Sequence, residues 1–261
     1  MEKEINNHTF VIMAYKESSF LEDCICSVIN QDIKSNIIIS TSTPNEYIRN
    51  LANKYNLPLF VNKGVGDMAD NWNFALSLSK TQFTTLCHQD DLYDSNYLKE
   101  VARYFSDDVL LIHTHWKALS GNKKCNNKCS AAHKLLNFPV FLFPGCRWLR
   151  LFILSLGMSV KTPSVCYNKK VLNLPIWNNK YNIVLDWQAI TEIAKLKGKF
   201  IYITKPLFYY RISDEAESYS AIKHGVRYEE DFEMFCKFWP KCIAKLILFF
   251  YKRSYNVYEV K

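Results

Sequence analysis

His88-Gln89-Asp90-Asp91 follows directly on an apolar run, Phe83 to Cys87. Adjacent carboxylates at the end of a strand repel one another, and folding tolerates them best when they stay solvated or share a cation. The pattern therefore offers a divalent-metal site; its plain alternative is an Asp-rich turn capping a helix that begins near Ser95. A second acidic candidate is Asp186, followed by Trp187 at the start of a helix predicted over 185–196. A carboxylate at that position can serve as a helix N-cap. His113, His115, Cys125, Cys129 and His133 invite a zinc reading. However, Cys125-x-x-x-Cys129 lacks a second tight pair, and two histidines one residue apart on a strand point to one face as any strand requires.

These groups need a frame. Thr9 to Ala14 is a run of strand formers, and a helix follows in which Phe20, Leu21, Cys24, Ile25, Val28 and Ile29 recur at helical spacing, with Ser18 or Ser19 as its cap. Asn36–Ile39 predicts a second strand, Pro44 the first turn of a helix to about Lys54, and Leu57–Val61 a third strand. After Gly64 and Gly66, a helix over 68–78 leads to the strand 83–87. Such alternation predicts a Rossmann-like, mostly parallel sheet with helices on both faces, and such sheets bind ligands beyond the carboxyl ends of their strands. Tyr15–Glu17 and His88–Asp91 then share one rim.

Further on, the sequence predicts a helix over 95–105, a strand over 109–116, an exposed Lys-rich loop over 122–134 and an aromatic, basic stretch over 138–156. A strand over 163–167, two strands at 200–204 and 207–211, and a helical C-terminal part from Val226, interrupted near Pro240, complete the chain. No linker is visible, so the second half is expected to complete the same sheet.

The 261 residues are 49% hydrophobic and 22% charged, with no repeat or biased stretch, which excludes collagen-like, solenoid and disordered architectures. Net charge is +8, and the excess lies wholly in the second half: residues 1–140 carry 14 basic and 15 acidic side chains, residues 141–261 carry 19 and 10. A basic, aromatic half suits phosphate-bearing partners. No recognisable nucleic-acid motif concentrates the charge, so nucleic acid is not expected as a partner. Nine cysteines, an odd number, and no apolar leader predict reduced thiols in a cytoplasmic protein. The longest apolar runs, Leu151–Val160 and Cys242–Tyr251, are too short to span a bilayer, yet flanked by Arg147, Arg150, Lys241, Lys252 and Arg253 they could lie on a membrane surface.

Taken in order, these segments resemble glycosyltransferase family 2, the inverting enzymes of GT-A fold. Val11-Ile-Met-Ala-Tyr15 with Leu21, Ser27, Val28 and Gln31 is similar to that family's opening strand and helix. Asn71-Trp72-Asn73 with Ala75, then Thr84-Thr85-Leu86 running into His88–Asp91, is similar to its approach to the Asp-x-Asp metal motif. Asp186-Trp187, Pro163-Ser164-Val165 and Pro206-Leu-Phe-Tyr-Tyr-Arg211 are similar to its later segments.

The resemblance implies three parts: a nucleotide-sugar-binding half over 1–120, an acceptor half over 121–225 and a helical segment over 226–261. It implies a metal, Mn²⁺ or Mg²⁺, held by Asp90 and Asp91 with His88, and Asp186 as the catalytic base. It implies donor contacts from Ala14, Tyr15, Glu17, Thr41, Asn73, His88, Gln89, Asp90 and Arg211, and an acceptor contact from Trp187. The expected reaction moves a sugar from a nucleotide diphosphate to a glycan or lipid-linked saccharide during cell-surface polysaccharide assembly, at the cytoplasmic membrane face. Departures from the family pattern are Ser40-Thr41-Ser42-Thr43 in place of an Asp-Asp-Gly-Ser run, His88 in place of the first motif Asp, and Ala14 and Lys16 beside Tyr15. They keep open an alternative: a catalytically inactive relative that binds sugar nucleotide or glycan as a scaffold.

Overall fold

The structure is a computed structural model, describing residues 4–120, 123–125, 128–212, 225–253 and 255. One mixed sheet organises it, in the order β3-β2-β1-β4-β8-β6-β9-β5 with β7 paired to β6. The first strands are β1 (Glu4–Ala14), β2 (Lys34–Thr41), β3 (Leu59–Val61) and β4 (Phe83–His88). They pair in parallel, joined by α1 (Leu21–Ile29), α2 (Glu46–Lys54) and α3 (Met68–Leu78). After β5 (Leu92–Tyr93) and the short α4 (Tyr97–Val101) come β6 (Val109–Ser120), β7 (Lys123–Cys125), α5 (Lys128–Leu142) and α6 (Arg147–Leu154). The chain continues through β8 (Val165–Asn168), α7 (Leu185–Ala194), β9 (Lys199–Arg211), α8 (Val226–Cys236) and α9 (Lys241–Tyr251).

Strand β8 runs antiparallel between β4 and β6, so β6 and β9 regain the direction of the first four strands. The sheet is therefore continuous across both halves of the chain. Side chains alternate across it as the pleat demands: Phe10, Ile12 and Ala14 of β1 enter a core with α1 and α2, while Val11 enters one with α3, α6, α7, α8 and α9.

Several expectations are corrected. Pro44 lies ahead of α2 rather than in its first turn, and Asn45 is the cap, its side chain accepting from the Ile48 N–H at 2.9 Å. The helix over 95–105 shortens to α4 and a 3-10 turn over Ala102–Tyr104. The two strands 200–204 and 207–211 are one, because a register irregularity opposite His115 accommodates Pro206 without ending β9. The exposed loop over 122–134 instead holds β7 and the start of α5; residues 121–122 and 126–127 lie outside the described set.

Candidate active site

The carboxyl ends of β1, β2 and β4 open into a cleft of about 720 Å³. On one wall stand Ala14, Tyr15 and Glu17 after β1, Thr41 at the end of β2, and His88, Gln89 and Asp90 after β4. Gln89 ties two of these loops together: its Nε2 donates to the Tyr15 carbonyl at 2.9 Å and its Oε1 accepts from the Tyr15 N–H at 2.8 Å. Lys16, in the left-handed region at φ 53°, turns the β1 loop, and its N–H donates to Thr43 Oγ1 at 2.6 Å. The sequence-predicted rim is thus one hydrogen-bonded surface.

His88, Asp90 and Asp91 bring three potential ligand atoms within 4.8 Å of one another. His88 Nε2 and Asp91 Oδ2 are buried without a protein hydrogen-bond partner, and such orphaned atoms are costly unless something else satisfies them. The donor set, one imidazole and two carboxylates, fits a divalent cation. Burial lowers the His88 pKa, opposed by the negative charges of Asp90 and Asp186, so the ring has a lone pair to offer. Its ring lies 5.2 Å from that of Trp72.

The paired carboxylates are not equivalent. Asp90 lines the cleft, whereas Asp91 is 0% exposed, does not line it, and accepts the Arg211 N–H at 2.9 Å through Oδ1. Burial, then the neighbouring Asp90 charge, pushes its pKa well above the usual carboxylate range.

Asp186, on α7, lines the same cleft, as do Lys161, Thr162 and Pro163. Thr162 Oγ1 donates to Asp186 Oδ2 at 3.0 Å, and the Trp187 N–H donates to Oδ1 at 2.6 Å. Asp186 is the second residue of α7 rather than its cap. The entry to the helix is held instead by Glu230 of α8, which accepts the N–H groups of Asn182, Ile183 and Val184 at 2.9, 2.8 and 3.1 Å.

Three residues expected at the site serve its frame. Trp187 is 1% exposed, its Nε1 donating to the Leu154 carbonyl at 3.0 Å and its ring packed on Phe235, so it is a core side chain and not an acceptor contact. Asn73 does not line the cleft; its Oδ1 accepts from Ile176 and Trp177 N–H, and its Nδ2 donates to the Trp177 carbonyl, fastening that loop to α3. Arg211 is 2% exposed and lies behind the metal-motif turn, with Nε donating to the Asp90 carbonyl at 2.8 Å and its guanidinium 4.1 Å from the Phe20 ring. It therefore buttresses the turn and does not reach a donor.

The zinc reading is also resolved among the described residues. His133 accepts from Trp116 Nε1 at 3.1 Å and lies 3.5 Å from Cys129 Sγ, while His115 pairs with Ser130 Oγ at 3.3 Å. His113 stacks on Tyr202 at 4.9 Å. These are hydrogen-bonding and packing roles, and the one metal-competent cluster described is His88, Asp90 and Asp91.

Sequence reasoning missed Lys161, Thr162, Trp72, Tyr210, Arg227 and Tyr251, all of which line the cleft. Lys161 Nζ sits 4.2 Å from the Tyr210 ring centroid and 5.1 Å from that of Trp116. Lys161 and Thr162 immediately precede the quoted Pro163-Ser164-Val165 segment, the signal that could have found them; Arg227 and Tyr251 reach the cleft only through tertiary packing.

No curated protein matches the chain in sequence. The chain is similar to TarS of S. aureus, residues 1–349, solved in complex with UDP-GlcNAc: 16% identity, TM-score 0.62, covering 93% of this chain and 70% of that one. It is similar to the mannosyltransferase PcManGT from Pyrobaculum calidifontis, solved in complex with GDP-Man and Mn²⁺, at 12% identity and TM-score 0.65, covering 88% of this chain and 63% of that one. It is also similar to glucosyl-3-phosphoglycerate synthase from Mycobacterium tuberculosis, solved in complex with Mn²⁺ and UDP-Glc, at 11% identity and TM-score 0.52, covering 85% and 77%. The chain spans less than two thirds of the mannosyltransferase's length. The model for glycosyl transferase family 2 matches residues 9–143, half of the chain, and with the mixed sheet and its cleft this shows that the chain belongs to glycosyl transferase family 2 and has the GT-A fold.

Proposed function

We propose that the protein is a metal-dependent, inverting glycosyltransferase that moves a sugar from a nucleotide diphosphate to a hydroxyl of a glycan or lipid-linked saccharide in cell-surface polysaccharide assembly. The observation that carries this reading is that Asp90, after β4, and Asp186, on α7, line one cleft. A cleft of about 720 Å³ is ample for a sugar nucleotide.

In this mechanism the loops after β1 and β2 hold the nucleoside, with the Tyr15 and Thr41 segments nearest to it. Asp186, oriented by Thr162, takes the proton of the acceptor hydroxyl as its oxygen bonds to the anomeric carbon. The bond from that carbon to the diphosphate oxygen breaks on the opposite side, and the nucleoside diphosphate leaves with the electron pair, which inverts the centre. His88, Asp90 and Asp91 would hold a divalent cation, whose chemistry is to neutralise the leaving diphosphate. Lys161 and Lys16 add positive charge along the cleft. Arg211 fixes the turn carrying Asp90, and Gln89 keeps that turn in register with Tyr15.

Slow donor hydrolysis tests the assignment without knowledge of the acceptor. Release of nucleoside diphosphate from one member of a sugar-nucleotide panel, abolished by Asp90→Ala, is the expected result; no release from any member would favour a binding-only relative. Imidazole suits Mn²⁺ better than Mg²⁺, so Mn²⁺ is expected to raise the melting temperature in the presence of donor at least as much as Mg²⁺.

A further inference from the structure

The outer faces of α5, α6 and α9 carry large apolar side chains that the core does not use. Phe138 and Phe141 on α5, Trp148 and Phe152 on α6, and Leu246 and Phe249 on α9 are all exposed, Trp148 by 75% and Phe249 by 64%. The three helices are linked in series. α5 packs against α6, Ile153 and Leu154 of α6 share a core with Ala244 and Leu248 of α9, and Trp239 Nε1, just ahead of α9, donates to the Ser155 carbonyl at 2.8 Å.

Charge on these segments has one sign. The 77 residues from Val109 to Leu185 include eleven Lys or Arg and no Asp or Glu, and Met234 to Tyr258 include five and none. Two of these cations lie beside aromatics of the helices: Arg147 is 5.4 Å from the Trp148 ring and Arg253 5.6 Å from that of Phe250. Aromatic and aliphatic side chains rimmed by Lys and Arg match the headgroup layer of an anionic bilayer. A second copy of this chain would instead bring like charges together across the contact. No described helix is long and apolar enough to cross a membrane, so the fitting mode is lying on one.

The same helices reach the cleft. Cys129 and His133 of α5 line it, and Phe141 lies eight residues beyond His133, about 12 Å along the helix axis. Tyr251 at the end of α9 lines it as well, two residues from Phe249. We infer that α5, α6 and α9 form a docking surface for an anionic lipid bilayer, which places the Asp186 side of the cleft at the membrane and makes a lipid-anchored acceptor its substrate class. The acceptor part rests on the transferase reading; the docking part does not.

Flotation of the full chain with phosphatidylcholine vesicles, with and without phosphatidylglycerol, tests the surface, while donor hydrolysis is followed in the same samples. The expected result is binding that requires phosphatidylglycerol at low salt and falls at least about tenfold for Trp148→Glu combined with Phe249→Glu, with melting temperature and hydrolysis unchanged. Wild-type protein that hydrolyses donor yet fails to float with anionic vesicles overturns docking. So does a double variant that floats like wild type but converts a dimer to a monomer in light scattering, which would make the face a contact between copies. Vesicle binding with no hydrolysis supports docking and counts against the transferase reading alone. As a second pair on the same face, Phe141→Ser with Leu246→Ser keeps the experiment decisive if the glutamates disturb folding.

Discussion

The two walls of the cleft are built by different means. On the wall proposed to bind the donor, the lining residues lie within a few positions of the end of a parallel strand, and the backbone itself delivers them: Tyr15 after β1, Thr41 on β2, Asp90 after β4. On the other wall, Asp186 sits in the first turn of a helix whose entry is held by Glu230 from α8 and whose buried face is anchored by Trp187 against Phe235. The first wall depends on strand order, the second on side chains contributed from distant parts of the chain. Substitutions behind the second wall should therefore move its carboxylate, while the first wall should yield mainly to changes in the loops themselves.

The largest expected effect is Asp186→Asn, which should lower transfer by about 10²–10⁴-fold, the range for a general base, with the melting temperature little changed. Next is Trp187→Ala, which removes a fully buried indole from the second wall and should cost about 3–5 kcal/mol of stability in denaturant unfolding. A loss under about 1 kcal/mol would mean that the wall can repack, as a surface residue would allow.

Buried histidines supply a pH test. His8 on β1 and His113 on β6 are held neutral by burial, their pKa values lowered to about 3. Below the unfolded value near 6.5 the unfolded chain binds protons that the folded chain does not, so stability falls as pH drops from 6.5 towards 3. His8→Gln should lessen that fall by about 2 kcal/mol at pH 5, because a glutamine can still reach Ser35 and Thr85, the partners of His8 at 3.1 and 3.0 Å. The smallest effect is expected for Glu230→Gln, which leaves the α7 entry with one acceptor oxygen for three N–H groups. A loss of about 1–2 kcal/mol, with a lower kcat and an unchanged donor affinity, would show that the second wall is propped from α8.

Legibility followed the same division. The first four strands and their helices were readable because apolar periodicity is local, and the His88, Asp90 and Asp91 cluster because its residues are nearly contiguous. Asp186 was readable through its segment, but its neighbours were not. Trp187, Asn73 and Arg211 lie in recognisable segments, yet only tertiary packing shows that the indole is inside the core, that the amide fastens a loop and that the guanidinium lies behind the turn. Polar composition hid the start of α5, where Ser130 and Asn137 are buried because each finds a backbone carbonyl, Ser130 that of Trp116 and Asn137 that of Ser159. Proline suggested a break in β9 that the sheet absorbs as an irregularity of register.

Titration calorimetry with the sugar nucleotide selected from the panel, in Mn²⁺, separates the two walls in one experiment. Asp186→Asn should bind donor within about twofold of wild type, and Asp90→Ala at least about tenfold more weakly, since only the latter removes a charge-assisted contact to the donor complex. Equal loss of donor affinity in both variants, or unchanged affinity in Asp90→Ala, would contradict the division of the cleft into a donor wall and a base wall.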